Sequence, residues 1–150
     1  MVGLPGSGKT TISQQLAKNS AVPAIVISRD EIEKCYKDEI NYFKRQEQIF
    51  IHFFTEMNKY LALGYDVYAD AVHGTWQERN NLIQHLIISD VFVNIIFVIA
   101  PLELCLKRNK ERIEHTIVNE VIIKAIDKNL TDPVNDPFNY NEIVYIKNAL

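Results

Sequence analysis

Apolar and polar positions along this chain follow two rhythms. Four short runs are apolar and rich in β-branched residues: 24–28 (AIVIS), 65–70 (YDVYAD), 93–100 (VNIIFVIA) and 142–146 (EIVYI). Their length and composition predict strands. The run at 93–100 is almost continuously apolar, as in a strand covered on both faces. Between the runs, apolar residues recur at helical spacing. The clearest case is 43–63, where Ile49, Phe50, Phe53, Phe54, Met57 and Leu61 share one face. That stripe reads as core. Further helices are expected over 10–18, 76–88, 102–112 and 117–130. Thr75 is placed to cap the helix at 76–88, Pro101 precedes the one at 102–112, and TDPVNDP stops the last.

Strands alternating with helices predict an α/β fold. One domain over 1–150 is expected, with a parallel β-sheet flanked by helices in three layers. Length allows a sizeable core. Apolar residues make up 47% and charged residues 23% of the chain, a globular composition. The net charge of −3 argues against a strongly basic nucleic-acid binder while leaving room for a local basic patch. Cys35 and Cys105 form no CxxC pair, which fits a reducing compartment rather than a disulfide framework or zinc site. His52, His85 and His115 lack metal spacing and read as surface or helix-face positions. The first residues show no leader pattern, and the longest apolar run is about half of a membrane span. A cytoplasmic protein without a membrane partner is the expectation.

The chemistry is concentrated in GLPGSGKT, Gly3 to Thr10, which matches G-x-x-x-x-G-K-[ST] in full. Glycines permit backbone angles that side chains forbid. Such a loop wraps a phosphate with its N–H groups turned inward, and the helix that follows presents its positive end to the same anion. Gly3, Pro5, Gly6, Ser7, Gly8, Lys9, Thr10 and Thr11 are therefore candidate nucleotide-binding residues. Lys9 adds a full charge at the β- and γ-phosphates, and the Thr10 hydroxyl is a candidate Mg²⁺ ligand.

The loop is followed in order by SRDEI, YADAVHG, LKRNKER and FNYNEIVYI. This set resembles P-loop kinases over nearly the whole chain. It is most similar to the polynucleotide-kinase-like group of ATP-binding kinases, with zeta-toxin-like kinases nearby. The resemblance implies ATP and Mg²⁺ as cofactors and a hydroxyl-bearing acceptor. It makes Asp30, of the "RD" motif, the general base that takes the acceptor's proton. The alternative on the residues alone is that Asp30 caps the next helix, with Glu33 at its third position. Arg29 is implied near the acceptor. Asp70, ending the second strand, is implied as the acidic partner of Mg²⁺. Arg108 and Arg112, four apart on one expected helical face, are implied as lid arginines that neutralise the transferring phosphoryl group. Their alternative is a solvated charged face.

Two positions depart from the pattern. Val72 replaces a hydroxyl residue usual after the aspartate, with His73 keeping the polar position. Glu33 stands where phage polynucleotide kinases carry a phosphate-gripping arginine, with Lys34 and Lys37 the nearest compensating charges. The resulting expectation is an ATP-dependent phosphotransferase. The acceptor is a nucleic-acid 5′-hydroxyl or a small molecule such as a nucleoside, sugar or antibiotic. An ATP-binding switch or hydrolase without Asp30 chemistry, and a binding module that has lost catalysis, are the other readings. In this fold a strand precedes the phosphate loop. Met1 and Val2 alone come before Gly3 here, so the first strand is expected to be truncated.

Overall fold

The computed structural model describes residues 1–113 and 116–149; His115 lies outside them. In chain order the elements are α1 (Lys9–Lys18), β1 (Ala24–Ser28), α2 (Arg29–Lys34), α3 (Tyr42–Ala62), β2 (Asp66–Asp70), α4 (Trp76–Gln84), β3 (Asn94–Ile99), α5 (Leu102–Lys110), α6 (Glu120–Asn129) and β4 (Glu142–Lys147). The architecture is α/β, with parallel strands and flanking helices. The chain separates into two compact units. The first comprises Met1–Lys9, Val72–Ile83 and Phe92–Leu150, and the second Thr10–Ala71 and Gln84–Val91.

In the first unit, β3 and β4 run parallel, in register from Asn94↔Glu142 to Ile99↔Lys147. Val2 adds one parallel bridge to Phe97. Its N–H donates to the Ile96 carbonyl, and its carbonyl accepts from the Val98 N–H, both at 2.8 Å. Val2, Ile95 and Phe97 form the core here, with Leu130, Tyr140 and Ile143 packed against them. Burial of such side chains contributes roughly 1.5–3 kcal/mol each, which ties the segment before the phosphate loop to β3.

In the second unit, β1 and β2 are parallel neighbours, from Ala24↔Asp66 to Ser28↔Asp70. The long helix α3 packs on both strands and on α2. Ile49, Phe53 and Met57 are its buried positions, spaced by four as a helical stripe requires. Phe50 and Phe54 extend the stripe sideways and meet the His85 ring at 4.9 and 4.8 Å. His85 stays exposed, as a surface position should, while its ring edge rests on these two aromatics.

Among the described residues, the hydrogen-bonded strand pairs are β1–β2 and β3–β4, and Val2 stands before the phosphate loop as a lone bridge to Phe97. A single bridging residue is far short of the five or six residues of an ordinary strand. Helix ends also differ from expectation. α4 stops at Gln84 because Asn58 captures the backbone beyond it, donating to the His85 carbonyl and accepting from the Ile87 N–H. α6 begins at Glu120, capped by Asn119, whose side chain accepts from the Val121 N–H. Thr75 and Glu78 form the reciprocal cap of α4, each accepting from the other's N–H.

Candidate functional site

The first unit holds the phosphate loop. Gly6 has φ 87°, and a side chain there would put its Cβ 2.5 Å from the Cys105 carbonyl oxygen; only glycine fits. Pro5 and Ser7 are buried, and Lys9 is 8% exposed. The Lys9 ammonium donates to the Leu4 carbonyl at 2.8 Å, and Ser7 N–H closes a turn onto the same carbonyl at 3.1 Å. Two distant side chains take further loop carbonyls. Asn148 Nδ2 donates to Ser7 O at 2.7 Å, and Arg108 donates to Gly6 O at 3.4 Å. A trans peptide sets a carbonyl and the next N–H on opposite sides. The Asn148 bond therefore turns the Gly8 N–H away from Asn148. The Ser7 hydroxyl is fully buried and has no hydrogen-bond partner among the described residues.

The second unit holds Thr10, Thr11, Asp30 and Asp70. The Thr10 hydroxyl donates to Asp70 Oδ2 at 2.6 Å. Asp70 ends β2 and is 4% exposed, while Thr11 is exposed. Ser13 braces the turn by donating to the Thr10 carbonyl at 3.0 Å. Asp70 pairs in register with Ser28 on β1, and Asp30 follows two residues later. The carboxyl ends of β1 and β2 thus bring Asp70 and the Asp30 turn to one edge, where open α/β sheets bind ligands. Asp30 is exposed in the first turn of α2. The cap of that helix is Ser28, whose side chain accepts from the Glu31 N–H; the capping alternative for Asp30 is thereby replaced. Arg29 donates to Gln46 at 2.6 Å and lies 3.8 Å from Glu33. Lys34 pairs with Glu31 at 2.6 Å.

Arg112 departs from the expected shared face. α5 ends at Lys110 with Glu111 as its cap, and Arg112 donates to the Thr116 carbonyl at 3.5 Å. His73 is no plain surface residue. It has φ 45°, and its Nδ1 lies 3.1 Å from the Met1 carbonyl. Burial, then the positive charges of the N-terminal amino group, Lys9 and Arg79, push its pKa down to about 3. Asn148 was not singled out from the sequence. Its position, one residue past β4, was the available signal, since strand ends carry ligand chemistry in this architecture.

Among the described residues, no group of three or more His, Cys, Asp or Glu could hold a metal. Mg²⁺ does not need such a cage. It takes one or two carboxylates, keeps waters and uses substrate phosphates. A hydroxyl and a buried carboxylate 2.6 Å apart are hard oxygen donors that fit it.

The parallel α/β arrangement behind a phosphate loop is the fold of P-loop kinases. A family model described as AAA domain matches residues 1–133, and the chain belongs to that family. No curated protein matches it. Solved structures share the fold. A provisionally assigned kinase from Chloroflexus aurantiacus J-10-fl is 17% identical, with TM-score 0.65 over 97% of this chain and 81% of that one. A gluconokinase from Sinorhizobium meliloti 1021 is 15% identical, with TM-score 0.63 over 99% and 81%. A sugar kinase from Janibacter sp. HTCC2649 is also 15% identical, with TM-score 0.63 over 97% and 82%. No helix among the described residues is long and apolar enough to cross a membrane.

Proposed function

We propose that the chain is one P-loop kinase domain that transfers the γ-phosphate of ATP to the hydroxyl of a small polyhydroxylated acceptor. The observation that carries this reading is the Thr10–Asp70 bond at the end of β2, directly after a complete phosphate-loop sequence. Lys9 and the loop amides hold the β- and γ-phosphates. Thr10 and Asp70 would hold Mg²⁺, which when bound neutralises phosphate charge. Asp30 takes the acceptor's proton as the acceptor oxygen bonds to the γ-phosphorus. The bond from that phosphorus to the β–γ bridging oxygen breaks, and ADP leaves with the electron pair. Arg108 and Arg112 stabilise the charge spread over the phosphoryl oxygens in transit.

The surroundings of Asp30 favour a small acceptor over a polynucleotide. Arg29 and Lys34, neighbours of Asp30 along the chain, are matched by Glu33 and Glu31, which leaves less positive charge for a phosphate backbone. Gluconokinase and sugar kinase among the fold's relatives agree with that choice. The free thiols of Cys35 and Cys105 support a reducing, cytoplasmic setting. The test is γ-phosphate transfer from labelled ATP to a panel of sugars, sugar acids, nucleosides and a 5′-hydroxyl oligonucleotide. Transfer to a small hydroxyl compound is expected. Transfer to the oligonucleotide alone would reverse the choice of acceptor, and ATP hydrolysis without transfer to any would support the switch reading.

A further inference from the structure

Within the first unit, Arg79 of α4 and Asp136 form an ion pair whose side chains are 2% and 1% exposed. The contact is bidentate, Nε to Oδ2 at 2.7 Å and NH2 to Oδ1 at 2.6 Å. The Tyr140 hydroxyl donates to the same carboxylate. Burial, with the Asp136 hydrogen bond and charge, raises the Tyr140 pKa, so it remains a donor. Stability alone explains such a pair poorly, because apolar replacement of both partners is often neutral or stabilising.

The remaining Arg79 donors point to a different role. NH1 donates to the His73 carbonyl and NH2 to the Thr131 hydroxyl, each at 2.9 Å. Thr131 N–H donates in turn to the Gly74 carbonyl at 2.8 Å, and Gly3 N–H donates to the Val72 carbonyl at 3.3 Å. Three consecutive carbonyls are thus taken by three separate parts of the chain. The middle residue, His73, has a left-handed backbone at φ 45°. Such a conformation persists only where the surroundings over-determine it. Gly3, at the other end of this chain of bonds, is the first glycine of the phosphate loop. It has φ 144°, and a Cβ there would lie 2.5 Å from the Val98 carbonyl oxygen. Gly3 therefore sits between β3 and segment 72–74, with no room to shift toward β3.

We propose that Arg79, supported by Asp136, Tyr140 and Thr131, is a positioning residue for the phosphate loop. It fixes segment 72–74, and the Val72 carbonyl in turn fixes the Gly3 N–H. The inference deepens the kinase reading and rests on it for its effect on turnover.

The test uses the full chain carrying Arg79→Met together with Asp136→Leu, which strands no buried charge. Arg79→Lys and Tyr140→Phe accompany it. Readouts are the urea midpoint, amide exchange at Gly3 without nucleotide, the Kd for Mg·ATP, and kcat. The double variant should keep a midpoint near wild type. Gly3 exchange should rise about tenfold, as for a lost hydrogen bond, and kcat should fall about 10²-fold, as for a small misplacement of reacting groups. Arg79→Lys should not rescue either, because an ammonium lacks the planar fork. A folded double variant with wild-type Gly3 exchange and kcat overturns the proposal. Should the double variant not fold, Tyr140→Phe decides: faster Gly3 exchange and lower kcat support the proposal, and no change in either overturns it. Should the wild-type chain neither bind Mg·ATP nor transfer phosphate, the kinase reading fails. Gly3 exchange then still decides whether Arg79 holds the loop.

Discussion

The phosphate loop and the Asp30 turn are built in opposite ways. In the first, Gly3 and Gly6 have no space for a side chain, Lys9 is buried against Leu4 O, and Asn148 and Arg108 hold the Ser7 and Gly6 carbonyls. In the second, a six-residue helix carries an exposed Asp30 beside partly exposed Arg29 and Glu33. Preorganised donors matter most where charge develops, and an acceptor must be able to arrive and leave. On the proposed kinase reading, nucleotide binding would rest on a sterically confined loop backbone, and acceptor choice on a few exposed side chains.

The sharpest way to break this contrast is Asp30→Asn. It keeps the shape and removes the basicity, so kcat should fall about 10² to 10⁴-fold while calorimetry finds the Kd for Mg·ATP unchanged. A normal transfer rate would remove Asp30 from the chemistry. Lys9→Met should do the reverse. Losing a buried charge-assisted contact of about 1.5–3 kcal/mol should weaken Mg·ATP binding by about ten- to 10²-fold, and unaltered calorimetry would displace the nucleotide from the loop.

Arg108 and Arg112 sharpen the comparison further. Arg108 contacts the loop backbone and Arg112 does so with its own turn. Arg108→Ala should therefore lower kcat by about tenfold or more, and Arg112→Ala by less. Equal losses in steady-state kinetics would mean that the two arginines act together.

A further effect is expected on stability against pH. His73 has its pKa lowered in the folded chain to about 3, from an ordinary value of 6.5, chiefly by burial. The unfolded chain therefore binds the extra proton between those values. The stabilisation is complete above pH of about 6.5 and is lost as pH falls toward 3. His73→Asn, which tolerates a left-handed backbone, should flatten that part of a urea-midpoint profile. An unchanged slope would mean that His73 titrates normally in the folded protein.

Much of this was legible in the chain itself. β1 matched its apolar run, the α3 stripe at Ile49, Phe53 and Met57 was buried, and GLPGSGKT marked the loop. What remained hidden depended on contacts across long sequence separations. Arg79 looks like any charged helical residue until Asp136, 57 positions away, is brought to it. The end of α4 was hidden for the same reason, since Asn58 captures the chain around Ile87. The capping role fell to Ser28 rather than Asp30 because both residue types cap well, and only backbone angles separate them. Strand patterns specify faces but not partners, so the pairings of β1 with β2 and β3 with β4 came only with the fold.

The proposed reaction moves a γ-phosphate to a small hydroxyl acceptor. The most direct measurement is a transfer assay with γ-labelled ATP, Mg²⁺ and a panel of polyols, sugar acids and nucleosides, run on wild type, Lys9→Met and Asp30→Asn. Such transfer should place label on one small acceptor with wild type, with a loss in Lys9→Met that tracks weakened ATP binding and a loss in Asp30→Asn at full ATP binding. Label appearing only as inorganic phosphate, at the same rate in wild type and Asp30→Asn, would contradict it.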